Sequence, residues 1–267
     1  MISFDDLGNL GRLGNQMFQY ASLRGIASKH GYEYCLPPRS IFGLRDQKVK
    51  NTDITLYECF KLPEVEYKVT NYPKIMEPPS EFHFELWEDC PDHINLFGYY
   101  QFKKYFEHID NDIRQAFTFC DEILQPCKEF IFSNYGNSSI ISLHVRRTDY
   151  LDNIKVHPVQ SIKYYQQALD NFSEQIPVLI FSDDIEWCKN QKIFSGDRFC
   201  FSEDNNSGVD LCLQSLCTYH IIANSSFSWW GSWLAKSQKT ISPKKWSADL
   251  DTDKYYQELY LDGWIVL

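Results

Sequence analysis

From about residue 135 onward the apolar and polar positions fall into alternating blocks. The run IISLHV (140–145) is almost wholly apolar and stops at arginines, which predicts a buried strand. SIKYYQQALDNF (161–172) repeats apolar residues at helical spacing. IPVLIFSDD (176–184) predicts a second buried strand ending at acids, and IEWCKNQKIF (185–194) a helix. RFCFSED (198–204) reads as a short strand and GVDLCLQSLCTYH (208–220) as an amphipathic helix. IIANSS (221–226) predicts a strand, SFSWWGSWLAKS (226–237) a helix and TISP (240–243) a last strand. Strands alternating with helices imply a parallel sheet, and right-handed crossovers make it doubly wound.

The first half has fewer periodic segments. NQMFQYASLRGIASKHG (15–31) predicts a helix with Lys29 and His30 in its last turn and Gly31 as its cap. FKKYFEHIDNDIRQAF (102–117) predicts another. Residues 36–92 are rich in proline, with pairs at 37–38 and 78–79, and show no clear period. They read as loops that shape a substrate site.

Four polar clusters, HVRRTD, SDD, SED and NSS, each end a predicted strand. In an open α/β sheet ligands bind at the C-terminal ends of the strands, so periodicity alone gathers these groups on one rim. Composition narrows the choice of ligand. Hydrophobic residues make up 43% of the 267, aromatics 16%, and the formal net charge is −10. That balance fits a globular protein and excludes nucleic acid as the main partner. No run of about 18 apolar residues exists, so no transmembrane helix is expected. MISFDDLGNL lacks the basic start of a signal peptide, so the expected location is cytoplasmic. None of the nine cysteines forms C-x-x-C, and they read as reduced thiols.

The paired Arg146 and Arg147 pose the sharpest chemical question in a net-acidic chain. A guanidinium offers a planar fork to phosphate oxygens, and at a strand end it can meet a diphosphate. The plainer reading is an ion pair with Asp149. Asn224, Ser225 and Ser226 precede a helix; they suit a helix cap and equally a set of phosphate donors. GNLGRLGNQMF (8–18) places glycines before a helix, which allows close approach of an anion or a sugar, or forms an ordinary loop. Trp229, Trp230 and Trp233 share a helix and read as core. DLDTD (249–253) reads as a solvated turn, and no metal ligand set is expected.

Together GRLGNQMFQYA, GYYQFKKYF, HVRRTDY, FSDD and DLCLQSLCTYHIIANSSFSWWGSWL, with PKKW at 243–246, resemble the bacterial α-1,2-fucosyltransferases of glycosyltransferase family 11 almost end to end. The resemblance implies a GT-B-like α/β fold of two Rossmann-like domains facing a cleft. Residues 1–130 would form the acceptor-side domain with the Gly-rich loop, and 131–267 the GDP-fucose-binding domain. It implies inverting, metal-independent transfer from GDP-fucose to the 2-hydroxyl of a terminal galactose, with no cofactor beyond that co-substrate. The implied partners are GDP-fucose and a galactose-terminated glycan, with peripheral contact to the inner membrane through a lipid-linked acceptor. Another GDP-sugar as donor is one alternative, and a carbohydrate-binding module a second.

A wider similarity to the α-1,6- and protein O-fucosyltransferases implies roles. His144 and Asp210 would read guanine, and Ser225 and Ser226, beside Asn224, would hold phosphate. Arg146 would grip the β-phosphate, with Arg147, Asp183 and Asp184 completing the donor site. Gly14 and Asn15 belong to the loop that reaches toward the sugar-phosphate. Three departures stand out. Thr148 replaces the Gly common in HVRRGDY, and MISFDDLGNLGR is a weaker first strand than usual. Ile154 stands where the α-1,6 enzymes carry a proposed basic Glu, so the base does not carry over. A carboxylate at the cleft mouth is expected instead, Asp149 first and Asp152 second.

Overall fold

The computed structural model describes residues 1–39, 54–78, 81–249, 253 and 255–267. It divides into two units, Met1–Cys120 and Asp121–Leu267. The sequence placed the boundary after residue 130, but a helix spanning Asp121–Tyr135 belongs whole to the second unit.

In the first unit the order is β1 (Ile2–Ser3), α1 (Leu13–His30), β2 (Tyr34–Leu36), α2 (Leu56–Cys59), β3 (Glu66–Tyr67), β4 (Lys74–Met76), α3 (Phe84–Glu88), β5 (Asn95–Phe97) and α4 (Asp110–Ala116). Its described strands form one parallel sheet in the order β3-β2-β1-β5-β4. The chain therefore switches direction between β1 and β5, and the glycine-rich loop leaves β1 at that point. The helix expected over 15–31 is α1. It is buried along most of its length and ends as predicted, with Gly31 at φ 65° as a left-handed cap. Gly25 is needed inside it, because a Cβ there would sit 1.8 Å from the Tyr105 carbonyl oxygen.

Two expectations change here. The helix predicted over 102–117 is broken into short 3-10 turns before α4, because Tyr105 and Phe106 turn fully into the core. The described part of 36–92 is more than loops: it holds β3, β4, α2 and α3. Residues 40–53 and 79–80 of that stretch lie outside the described residues.

The second unit runs α5 (Asp121–Tyr135), β6 (Ile141–Val145), α6 (Thr148–Asp152), α7 (Ile162–Leu169), β7 (Val178–Ser182), α8 (Ile185–Lys189), β8 (Phe199–Phe201), α9 (Ser207–Leu216), β9 (Tyr219–Ile221), α10 (Ser226–Ala235), β10 (Lys239–Ser242) and β11 (Ile265–Val266). All its pairings are parallel, in the order β11-β10-β9-β6-β7-β8. This is the doubly wound arrangement, with the switch point between β6 and β9. Both faces are covered, so β6 is buried throughout and β7 up to its last residue, and Ile141, Leu143, Val178, Ile180, Ile221 and Ile241 pack with Tyr165 in the core. The tryptophans of α10 are core, as expected; Trp229 and Trp230 are fully buried, and the Trp229 indole donates to the Leu259 carbonyl at 2.7 Å. The helix expected over 208–220 stops at Leu216. Tyr219 and His220 already belong to β9.

Candidate functional site

The loops after β6 and β9 flank the switch point of the second unit, and they carry the residues singled out by sequence. Arg146 and Arg147 leave β6, and Asn224 and Ser225 lead from β9 into α10. Neither arginine is free. Arg146 donates to Asp149 Oδ2 at 2.8 Å, pairs with Asp183 at 3.4 Å, and lies 5.6 Å from the centre of the Tyr150 ring. Arg147 pairs with Asp184 at 3.1 Å and stacks 3.8 Å over the Trp187 ring. The plainer reading of the pair, an ion pair with Asp149, is thus present, but both acids after β7 join it.

Asp183 is the hub. It accepts from the backbone N–H groups of Arg147 and Thr148 at 2.9 and 3.1 Å and from the Thr148 hydroxyl. Burial works against its charge, but Arg146 and these donors outweigh that and hold the carboxyl below its usual range. Thr148 therefore adds a side-chain donor to Asp183. Asp184 also caps α8 by accepting from the Trp187 N–H at 3.2 Å.

His144, the fourth residue of β6, is buried, and its Nδ1 has no hydrogen-bond partner. Burial and the nearby Arg146 charge push its basicity far down, so the ring is neutral at physiological pH. Asp210, near the start of α9, lines a pocket of ≈ 240 Å³ together with Asp183, Glu186, Ser202, Glu203 and Asp204. The Ser202 hydroxyl donates to Asp210 at 2.6 Å. Burial nevertheless raises this carboxyl to about 6, against the stabilising hydrogen bonds of Ser202 and Asn205. The pocket is thus rich in hydrogen-bond acceptors.

Ser225 is the N-cap of α10, and its hydroxyl accepts from the Phe227 N–H at 3.3 Å; Ser226 opens the helix. The N-terminus of this ten-residue helix follows the loop that leaves β9 at the switch point. Asn224 does a different job from that expected. Its amide donates to the carbonyls of Pro158 and Trp246 and accepts from Gln160, while its own carbonyl accepts from Tyr150. That side chain is committed to holding loops together.

In the first unit, Gly14 and Asn15 sit in the opening turn of α1. Asn15 Oδ1 accepts from Gln101 at 2.7 Å. Gly11, at φ 77°, has no room for a side chain, since a Cβ would lie 2.1 Å from Asn15 Nδ2. Gln19 ties the loop after β1 to the loop after β5 by donating to the carbonyls of Leu10 and Gly98.

Several supporting residues escaped the sequence reading. Glu77 accepts from the Tyr99 and Tyr100 N–H groups at 2.6 and 2.7 Å, and so fixes the turn that carries Gln101. Burial raises its carboxyl to about 7. Trp187, Asn205 and Gln160 act in the same indirect way, and no motif marks them; Ser202 was visible only as part of the SED cluster. Tyr150 was visible only as part of HVRRTDY. Among the described residues no group of His, Cys, Asp or Glu is arranged to hold a metal ion, and no helix is long and apolar enough to cross a membrane. The DLDTD run lies largely outside the described residues.

The family model "Glycosyl transferase family 11" matches residues 4–267. The chain belongs to glycosyl transferase family 11. Among relatives of this family 11 chain, an Escherichia coli alpha-1,2-colitosyltransferase is 32% identical, over 88% of this chain and 90% of the relative. The O-antigen biosynthesis glycosyltransferase WbnK of Escherichia coli is 32% identical, over 71% and 67%. Galactoside alpha-(1,2)-fucosyltransferase 2 of Pongo pygmaeus is 27% identical, over 85% and 67%. The fold matches the alpha-1,6-fucosyltransferase NodZ co-crystallised with GDP, with TM-score 0.55, 14% identity and coverage of 86% and 91%. It also matches POFUT1 in complex with GDP-fucose, with TM-score 0.54, 13% identity and coverage of 88% and 94%. The family 11 chain is thus a glycosyltransferase with a GT-B-like α/β fold.

Proposed function

We propose that this glycosyltransferase moves fucose from GDP-fucose to the 2-hydroxyl of a terminal galactose, inverting the anomeric carbon and needing no metal. The observation that carries this reading is the switch point between β6 and β9. There a largely buried guanidinium, Arg146, lies on one side and the amide-rich start of α10 on the other. A diphosphate suits that pair, since it needs a planar cation and a set of N–H donors. As the C1–O bond breaks, charge collects on the β-phosphate oxygen, and the preorganised fork of Arg146 meets it. Ser225 and Ser226 serve the second phosphate. Asp210 accepts from guanine N1–H and its exocyclic amine, and His144 lies at the same base. Asp183 and Asp184 hold the two arginines, Arg147 more as a strut than as a ligand. Gly14 and Asn15 serve the sugar-phosphate from their own loop. Asn224 supports the site through the loops it joins.

A second reading keeps the site and changes the sugar. It is favoured by the relative described as an alpha-1,2-colitosyltransferase. Colitose lacks the 3-hydroxyl of fucose, and a site built to bond that hydroxyl discriminates strongly against its loss. The likeness to an O-antigen biosynthesis transferase suits a lipid-linked polysaccharide acceptor met at a membrane surface.

The deciding experiment supplies GDP-fucose, GDP-colitose and GDP-mannose with a panel of galactose-terminated disaccharides. NMR of the product should show an α-1,2-linked fucose. Transfer from GDP-colitose alone would move the donor assignment. No transfer together with no GDP binding would leave a carbohydrate-binding module.

A further inference from the structure

The reaction needs a proton acceptor, and the expected one is compromised. Asp149 Oδ2 is taken by Arg146, and Asp152 is an exposed residue at the far end of α6. Nearby stands a group that neither the sequence motifs nor the reading above uses. His157 lies in the loop after α6 and stacks on Tyr150, with ring centres 4.7 Å apart and planes at 19°. Tyr150 is itself pinned, its hydroxyl donating to the Asn224 carbonyl at 2.8 Å. Arg146 lies against the same Tyr150 ring, 5.6 Å from its centre. One fixed aromatic ring thus carries both the guanidinium assigned to the leaving phosphate and an imidazole. The His157 side chain is exposed, and its ring nitrogens are hydrogen-bonded to no group among the described residues. Asp149 Oδ1 is buried and has no hydrogen-bond partner.

We propose that His157 is the proton acceptor of the transfer, with the free oxygen of Asp149 stabilising the imidazolium that forms. The acceptor hydroxyl gives its proton to the imidazole as its oxygen bonds to the sugar C1. The C1–O(phosphate) bond breaks, its electron pair leaves with GDP, and the proton passes to water after release. This inference rests on the transferase reading above. The charged groups acting on the ring are Asp149, which favours its protonation, and Arg146, which opposes it. Partial desolvation of this otherwise exposed residue is the larger influence, and the net result lowers the basicity of His157 below its ordinary value. A neutral imidazole is the form a base requires, so His157 is ready at neutral pH.

The test compares wild type with His157→Phe, which keeps a ring against Tyr150. Transfer kcat should fall by roughly a hundredfold to ten-thousandfold, the usual share of a general base. GDP affinity by calorimetry and the slow hydrolysis of the donor by water should change little. Transfer by His157→Phe within a fewfold of wild type would overturn the assignment. If that variant also loses GDP binding, His157→Ala with added imidazole decides: a restored rate upholds the base, and none removes it. In wild type the acid limb of kcat/KM should lie below pH 6.5. In Asp149→Asn it should move lower still, because the charge that favours protonation is gone; an unmoved limb would count against the pairing. Wild-type transfer from at least one GDP-sugar is the control. Without it the transferase reading falls, and with it only His157 is at stake.

Discussion

Asp210→Asn should make the protein more stable and worse at binding GDP. The carboxyl titrates near 6 in the fold against an ordinary 3.8, because burial disfavours its charge. Below about pH 4 it is protonated in both folded and unfolded chains and has no effect. Between 4 and 6 the unfolded chain ionises first, so stability falls as pH rises; above 6 the cost is constant. At about 1.4 kcal/mol per pH unit the full cost is roughly 3 kcal/mol, and partial solvent access trims it to about 1–2 kcal/mol. Asn is isosteric, and its carbonyl oxygen can still accept from the Ser202 hydroxyl, which now lies 2.6 Å from Asp210. The variant should therefore melt a few degrees higher at pH 8 and match wild type at pH 4. For binding the sign reverses. The amide cannot accept two guanine donors, so GDP affinity should drop by about 2 kcal/mol, roughly thirtyfold. Binding also requires the ionised acid, so the wild-type advantage should shrink below pH 6. Taking the ratio of wild type to variant cancels the titration of the GDP phosphate. Calorimetry and thermal melts across pH 4–8 measure both effects. Equal melting at pH 8 would refute the burial argument, and GDP affinity within twofold would refute the guanine contact.

Arg146→Lys should lose about two orders of magnitude in kcat, since a point charge cannot span two phosphate oxygens. Arg147→Lys should instead cost stability, about 0.5–1 kcal/mol from the lost stack on Trp187, with a smaller kinetic effect; a reversed order in steady-state kinetics would exchange their roles. Gln214→Met should raise the melting temperature by the equivalent of about 1–2 kcal/mol, because both polar atoms of that fully buried side chain have no hydrogen-bond partner; a lower melting temperature would show that the amide packs better than a thioether against Gly231. Turnover should persist in excess EDTA; loss restored by Mn²⁺ would return the DLDTD run to consideration as a ligand set.

The rim was readable because buried parallel strands are mostly apolar and stop at charged residues, so HVRRTD and SDD announce strand ends. The failures have physical causes. Nothing between Leu216 and Tyr219 is Gly or Pro, so the helical pattern of α9 runs on into β9. Pro126 sits inside α5, and a mid-helix proline hides a helix from pattern reading. Strands of two or three residues, such as β1 and β3, are too short to show a period. The roles of Glu77 and Trp187 arise from contacts distant in sequence or unmarked by motif. The side chain of Asn224 shows the opposite hazard: its motif was legible and its polarity suggested a ligand, but its hydrogen bonds go to Pro158, Gln160 and Trp246.

Why a chain of net charge −10 keeps two arginines at a strand end has a two-part answer. Each guanidinium needs an anion when no diphosphate is bound, because a desolvated cation without a partner costs several kcal/mol. Asp183, Asp184 and Asp149 supply those anions, and their hydrogen bonds also fix the plane of each fork in advance. Preorganisation of that kind is what makes a charge effective in a transition state, since no dipole must turn at the moment of reaction. The acids are not equivalent, however. Asp183 is tied to two backbone N–H groups and a hydroxyl, so it stays when an anionic ligand arrives. Asp149 is held to Arg146 by one oxygen and is the more exposed partner, 43% against 11% for the side chains. In the transferase reading a diphosphate competes with Asp149 for the same guanidinium, and the carboxylate it displaces is the one whose charge acts on His157. Donor binding would then release toward the imidazole the negative charge that stabilises its protonated form. Anchoring of the leaving group and removal of the proton would be linked through one carboxylate.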